Sequence, residues 1–108
     1  AQGVGQALWE LCDYDAETGQ MRSATFMDYA MPRADMLPAF TTEISEVPST
    51  SNPLGLRGGG EGGTTPAPAA VVNAVVDALS HLGVEHIEMP VTPARVWEAI
   101  RAAAGGSA

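Results

Sequence analysis

Apolar residues recur at helical spacing in three stretches of the chain and alternate in the region between the first two. Val4, Ala7, Leu8, Leu11 and Cys12 fall on one face of a 3.6-residue period, which predicts a short helix with one buried stripe over residues 4–12. It starts without a cap or leader, which points to a chain cut from something longer or resting on a partner. The run CDYDAETGQMRSATF, residues 12–26, predicts a β-hairpin around Ala16-Glu17-Thr18-Gly19, with Gly19 supplying the positive φ of the loop. Two prolines break both periods between Met27 and Pro38, so a loop is expected there, and TTEISEV, residues 41–47, alternates well enough for a strand.

The second helical stretch is the clearest. Thr64 or Thr65 can cap it, Pro66 and Pro68 suit its first turn, and Gly83 can close it. Its interior, AAVVNAVVDALSHL, is apolar on nearly every face except at Asn73, Asp77, Ser80 and His81, the pattern of a helix buried in something larger than this chain. After an extended piece, VEHIEMP, Thr92 predicts an N-cap with Pro93 at the first helical position, and the last helix runs to about Ala104 with Val96, Trp97 and Ile100 on its apolar face. Gly105 to Ala108 reads as a frayed end, hence the C-terminus of a folded unit. The predicted fold class is α+β in one unit, residues 1–108: helix, β-hairpin, strand, Gly-rich loop and two helices.

Composition narrows the function. Thirteen acidic against five basic residues give a net charge of -8, which repels a phosphate backbone and argues against nucleic acid as partner. The longest apolar stretch, around 67–79, is interrupted by Pro68, Asn73 and Asp77 and falls short of the roughly 20 residues of a membrane span. The first residues lack a basic n-region and an apolar h-region, so a cytoplasmic location is expected. Cys12, the single cysteine, has no CxxC partner and is expected to be a small buried hydrophobe. His81 and His86 straddle Gly83 at a spacing that suits no metal pair, so no metal ligands are expected, and His81 reads as a helix-end residue. Tyr29 with Met27, Met31 and Met36 is expected to pack, as are Trp9 and Trp97, which could equally face a missing partner.

Residues 48–66, PSTSNPLGLRGGGEGGTTP, hold three of the eight prolines and six of the twelve glycines, a density that forbids a regular element. A flexible linker competes here with a packed functional loop, which Leu54, Leu56 and the clustering of glycines around one carboxylate support. Gly58, Gly60 and Gly63 satisfy GxGxxG, but Ser51-Asn52-Pro53-Leu54 stands where a dinucleotide fingerprint needs a buried strand, and no GK[ST] of a P-loop follows. Glu61 is a carboxylate between residues without side chains, where backbone can approach a ligand and the acid can project toward the following helix N-terminus. Such geometry suits a general base, with a solvated loop acid as the competing reading.

The run NPLGLRGGGEGGTTPAPAAVVNAVVDAL resembles the C-terminal signature of the xanthine dehydrogenase, aldehyde oxidase and aerobic carbon monoxide dehydrogenase family, in which a G-x-G-E loop precedes a buried helix. GVGQALWE, TFMDYAMPRADMLPAF and MPVTPARVWEAI resemble successive segments of bacterial large subunits in the same order, so the resemblance covers nearly the whole chain. It implies that residues 1–108 are the C-terminal segment of a molybdopterin-binding large subunit, with 48–66 as its active-site loop. By the same resemblance Glu61 is the general base in hydroxylation of an aldehyde, N-heterocycle or similar small substrate, Gly60 and Gly62 border the cofactor, and Arg57 either orients the loop or is an exposed charge.

The cofactor so implied is molybdopterin cytosine dinucleotide with molybdenum, its site completed by other segments. The implied partners are the remainder of the large subunit and iron-sulfur and FAD subunits or domains. No iron-sulfur cysteine motif occurs in this chain, and Cys12 does not match the active-site cysteine of carbon monoxide dehydrogenase. Two other readings are a non-catalytic partner-binding domain derived from such a subunit and a small nucleotide-binding module using the glycine loop.

Overall fold

The computed structural model describes residues 1–105. It has three helices, α1 (Gln2–Leu8), α2 (Ala67–Leu79) and α3 (Pro93–Gly105), with single 3₁₀ turns at Ala34–Met36 and Ser80–Leu82. Its core is small and lies where the C-terminal third folds back. Val84, Ile87 and Val91, spaced along the extended segment between α2 and α3, are buried against Val72, Val75, Val76 and Leu79 of α2 and Val96, Ala99 and Ile100 of α3. Gly83 makes that return possible: it follows the 3₁₀ turn with φ +83, a left-handed conformation costly to any residue with a Cβ. Arg95 fastens the segment to α3, its Nη1 donating to the carbonyls of Glu88 at 3.2 Å, Met89, and Pro90 at 3.3 Å.

The two long helices form as their local signals predict. Pro93 opens α3, with Thr92 Oγ1 accepting from the Arg95 amide at 3.4 Å, and Pro68 sits in the first turn of α2. The cap of α2 differs from expectation, being Pro66 without a side-chain bond, while neither Thr64 nor Thr65 caps. Pro68 removes one of the donors such a cap would satisfy, and the preceding turn already winds into the helix through Thr65 N to Glu61 O at 3.0 Å. No residue of α2 is fully buried, so the face turned away from the core stands bare. His81 lies within the 3₁₀ turn that follows α2, near the helix end as expected.

Where the sequence predicted strands, little strand forms. The turn at 15–19 is present, closed by Asp15 N to Gln20 O at 2.8 Å and Gly19 N to Asp15 O at 2.9 Å, but it carries one isolated bridge, Tyr14–Met21, in place of a β-hairpin. A two-stranded ribbon with nothing packed on it is marginal, and Tyr14 is exposed. Residues 41–47 have no ladder partner among the described residues, and Ile44 is 84% exposed, so the predicted strand is an extended stretch. The α+β expectation thus holds for the helices, while the described β structure is reduced to one bridge.

The first helix ends at Leu8, where the amides of Trp9 and Glu10 both donate to Gly5 O at 3.0 Å. Leu11 and Cys12 therefore leave the stripe and are exposed, against the expectation of a buried thiol. Met27 (93% exposed) and Met31 are bare as well, where packing was expected, and Trp97 is 58% exposed, the outcome that goes with the alternative of a face turned outward. Residues 106–108, expected to fray, lie outside the described residues.

These exposures share a cause. A compact chain of this length has a radius of gyration of about 13 Å, whereas this one measures 18.5 Å with extents of 61 × 38 × 28 Å. Its accessible surface is 8377 Å², against about 5,700 Å² for a compact monomer of this mass. Between residues 11 and 63 only Ser23 is buried. Among the described residues no helix is long and apolar enough to cross a membrane.

Ile87→Ala removes atoms from the one real core and is expected to cost about 2–4 kcal/mol, read from hydrogen exchange in α2 and α3 of the isolated chain. Ile44→Ala is expected to stay within about 0.5 kcal/mol, and similar losses at both sites would contradict the burial described. The Asp15 carboxylate accepts from Thr18 N and Thr18 Oγ1, both at 2.9 Å, and from Glu17 N at 3.1 Å. The Thr18 amide bond, then its hydroxyl, then the Glu17 amide hold its pKa below the ordinary 3.8. A lowered carboxyl pKa stabilises fully above the unfolded value and is lost as pH falls through the folded one. The 15–19 turn should therefore be unchanged from pH 7 to 5 and loosen only below about pH 3.8, and Thr18 amide shifts that titrate already near pH 5 would refute this.

Candidate active site

The stretch before α2 has two parts. Residues 48–56 close on themselves: Asn52 Nδ2 donates to Leu56 O at 2.9 Å, Leu56 N donates to Asn52 Oδ1 at 3.0 Å, and Ser49 N donates to Gly55 O at 3.0 Å. Gly55 is required here, with φ +66 and an added Cβ falling 2.9 Å from Pro48 Cβ. This half is a formed loop and not a loose linker, although Leu54 and Leu56 project into solvent. No strand precedes the glycines, since 51–54 is bend and turn, so the context of a dinucleotide fingerprint is missing.

Residues 57–65 form the second part. Gly62 N donates to Gly59 O at 3.2 Å, and Thr65 N donates to Glu61 O, so Glu61 stands in a turn that runs directly into α2. Its backbone is held while its carboxylate is exposed and has no hydrogen-bond or ion-pair partner among the described residues. Arg57 is exposed and likewise makes no ion pair among them. The glycines differ in kind from Gly55. A Cβ at Gly58, Gly59, Gly60 or Gly63 meets nothing within 4 Å, and at Gly62 only Gly59 O at an ordinary 3.4 Å; none of the five has a positive φ. Neither packing within this chain nor backbone conformation requires them, so the open space around Glu61 can accept a group from outside the chain.

Other predicted candidates do not join the turn. His86 lines an open groove along α2 with Val72, Asn73 and Val76, and a second groove runs past Thr65, Pro68 and Ala69; Glu61 lines neither. Among the described residues no three His, Cys, Asp or Glu side chains come together to hold a metal ion.

The turn is supported from behind by α1. At Gly3 an added Cβ would lie 2.5 Å from Ala67 Cβ, 3.1 Å from Thr64 O and 3.2 Å from Pro68 Cδ, so α1 lies directly against the junction of turn and α2. At Gly5 it would lie 2.6 Å from Pro32 Cγ and 2.9 Å from Glu10 Oε1. Val91 N donates to Ala7 O at 2.6 Å, tying the same helix to the core segment. Beside it Tyr29 Oη donates to Glu10 Oε2 at 3.0 Å, a bond that, with partial burial and the nearby Glu10 and Cys12 charges, raises the phenol pKa above its usual value. Sequence reasoning took Val4, Ala7 and Leu8 as the working face of α1 and missed its glycines. The signal was there: glycine within a helix costs about 1 kcal/mol, and two at alternate positions ask for a close approach.

Comparison with known proteins finds relatives along most of the chain. The family of the molybdopterin cofactor-binding domain matches residues 1–38. The nicotine 6-hydroxylase large subunit of Paenarthrobacter nicotinovorans is 42% identical over 100 residues, covering 93% of this chain and 12% of that protein. The xanthine dehydrogenase molybdenum-binding subunit of Escherichia coli O157:H7 is 34% identical over 96 residues, 89% of this chain and 12% of that one. The crystal structure of quinoline 2-oxidoreductase from Pseudomonas putida 86 superposes with a TM-score of 0.85 at 42% identity, over 94% of this chain and 13% of that one. The chain belongs to the molybdenum hydroxylase family.

This molybdenum hydroxylase segment spans about an eighth of the length of the large subunits it matches.

Asn52→Ala should open the 48–56 half of the loop. Losing two hydrogen bonds of about 1 kcal/mol each is expected to speed exchange of the Leu56 amide by roughly 10- to 30-fold. An unchanged Leu56 amide would show that Asn52 does not close this turn.

Proposed function

We propose that this chain completes the active site of a molybdopterin-dependent hydroxylase, with Glu61 as its general base. The observation that carries the reading is the Glu61 turn, with backbone fixed at the head of α2, carboxylate unpartnered, and flanking glycines that nothing in the chain requires. Family membership supports a functional reading of that pattern.

The residues present fit the cofactor. Gly60 and Gly62 would border it through their backbone, where any side chain would take up the space beside Glu61. When bound, the molybdenum cofactor supplies the two-electron oxidation and the oxygen that a hydroxylation requires. The chain's own task is the proton: the ionised Glu61 carboxylate takes one at its Oε atom as the substrate carbon is hydroxylated, then returns it to solvent.

The same reading makes the chain the C-terminal segment of a large subunit whose other segments hold most of a molybdopterin cytosine dinucleotide, with iron-sulfur and FAD subunits carrying electrons away. The substrate proposed is a small molecule, an N-heterocycle or aldehyde among them; nicotine and quinoline stand in the names of two relatives and carbon monoxide in others. The excess of accessible surface supports a large covering body, as does the bareness of Met27, Phe40, Ile44 and Trp97.

In the assembled full-length enzyme, Glu61→Gln is expected to lower kcat by about 10²- to 10⁴-fold, with molybdenum content and thermal stability unchanged. The residual rate should lose the acid limb of its pH profile. Near-normal turnover at full metal content would refute the assignment. Absence of molybdenum from the native complex would instead favour a non-catalytic, partner-binding role.

A further inference from the structure

We infer that Gly3 is a positioning residue for the candidate base: by admitting α1 against the head of α2, it sets where the Glu61 turn stands. The inference rests on the reading of Glu61 as base, but its geometry is independent of that reading. The atoms an added Cβ would meet are Ala67 Cβ at 2.5 Å, Thr64 O at 3.1 Å and Pro68 Cδ at 3.2 Å. All three are fixed to backbone or ring and cannot rotate away as the end of a long side chain would. They also bracket the link to Glu61, because Thr65, whose amide holds the Glu61 carbonyl, lies between Thr64 and α2. Carbon atoms in contact prefer about 3.5–4.0 Å, so a methyl at Gly3 must drive α1 and the α2 head apart by roughly 1 Å.

The displacement has few places to go. α1 is tied at its far end by Val91 N to Ala7 O and by the fit of Gly5 against Pro32. On the other side α2 is packed on Val84, Ile87 and Val91. The turn at 59–65 is the softer member, exposed throughout apart from half-buried Thr64, and it would take up the shift. A misplacement of about 1 Å transmitted to a catalytic group can cost on the order of 10²-fold in rate.

The test is a steric exchange in the full-length, cofactor-loaded enzyme: Gly3→Ala, Ala67→Gly, the double variant, and Glu61→Gln for reference. Two readouts are taken on each, hydrogen exchange of peptides spanning 58–66 and the pH profile of kcat at measured molybdenum content. Gly3→Ala is expected to speed exchange in 58–66, displace the acid limb and lower kcat by about 10- to 100-fold. Ala67→Gly, which deletes the atom at 2.5 Å, should restore most of all three in the double variant. Unchanged exchange and pH profile in Gly3→Ala would overturn the inference, as would defects the double variant fails to relieve. If Gly3→Ala alone does not assemble, assembly of the double variant with near-normal exchange and kcat supports it, and failure of both overturns it. Normal turnover in Glu61→Gln would sink the base assignment and leave the exchange coupling between Gly3 and 58–66 to be judged by itself.

Discussion

The contact between α1 and the head of α2 is the constraint on which the rest of this structure depends. With the Val91 N to Ala7 O bond and the packing of Leu8 on the core, it holds the N-terminal part of the chain to the C-terminal part. Residues 11–63 bury only Ser23, and the core of Val84, Ile87 and Val91 draws its neighbours from α2 and α3 together with Leu8 of α1. At Gly3 the two helices come together, and a few residues on the Val91 amide closes on the buried Ala7. One seven-residue helix thus joins the core segment, the Pro32 loop and the Glu61 turn. Its two glycines weaken it as a helix and fit it for docking.

The sequence made legible what is determined locally. The starts of α2 and α3 follow from prolines that fit first turns, and the end of the α2 region follows from a glycine that alone adopts φ +83 cheaply. The turn at 15–19 follows from Asp15, Thr18 and Gly19, which satisfy one another within five residues. What failed were expectations that needed a neighbour this chain does not supply, whereas Ala7, Val96 and Ile100 found theirs within it. Alternation at 41–47 describes a surface that would sit on a sheet, and among the described residues no sheet is present to receive it. Apolar character points Met27 and Cys12 inward, yet hydrophobic pattern states only that burial is favourable and does not supply the body to bury against.

The candidate site was legible in its chemistry and not in its support. Glu61 among glycines could be singled out by composition, and the resemblance gave it a role. That Gly55 is fixed by the chain's own geometry while Gly58 to Gly60 are not could only be learned from distances. Sequence offers the same letter for both. The distinction separates residues that make the loop from residues that leave room in it.

A group that must take and give back a proton is best located by its backbone, because any partner held tightly by its side chain would bias one protonation state. Glu61 meets that requirement: its carbonyl is held by Thr65 N, and its carboxylate has no partner among the described residues. The cost of such an arrangement is that position depends wholly on the turn, and the turn depends on whatever fixes the head of α2. In this chain that is α1, through a contact with no room for a methyl group. Precision at the proposed base is thereby set some 58 residues away along the chain, by an atom that is absent.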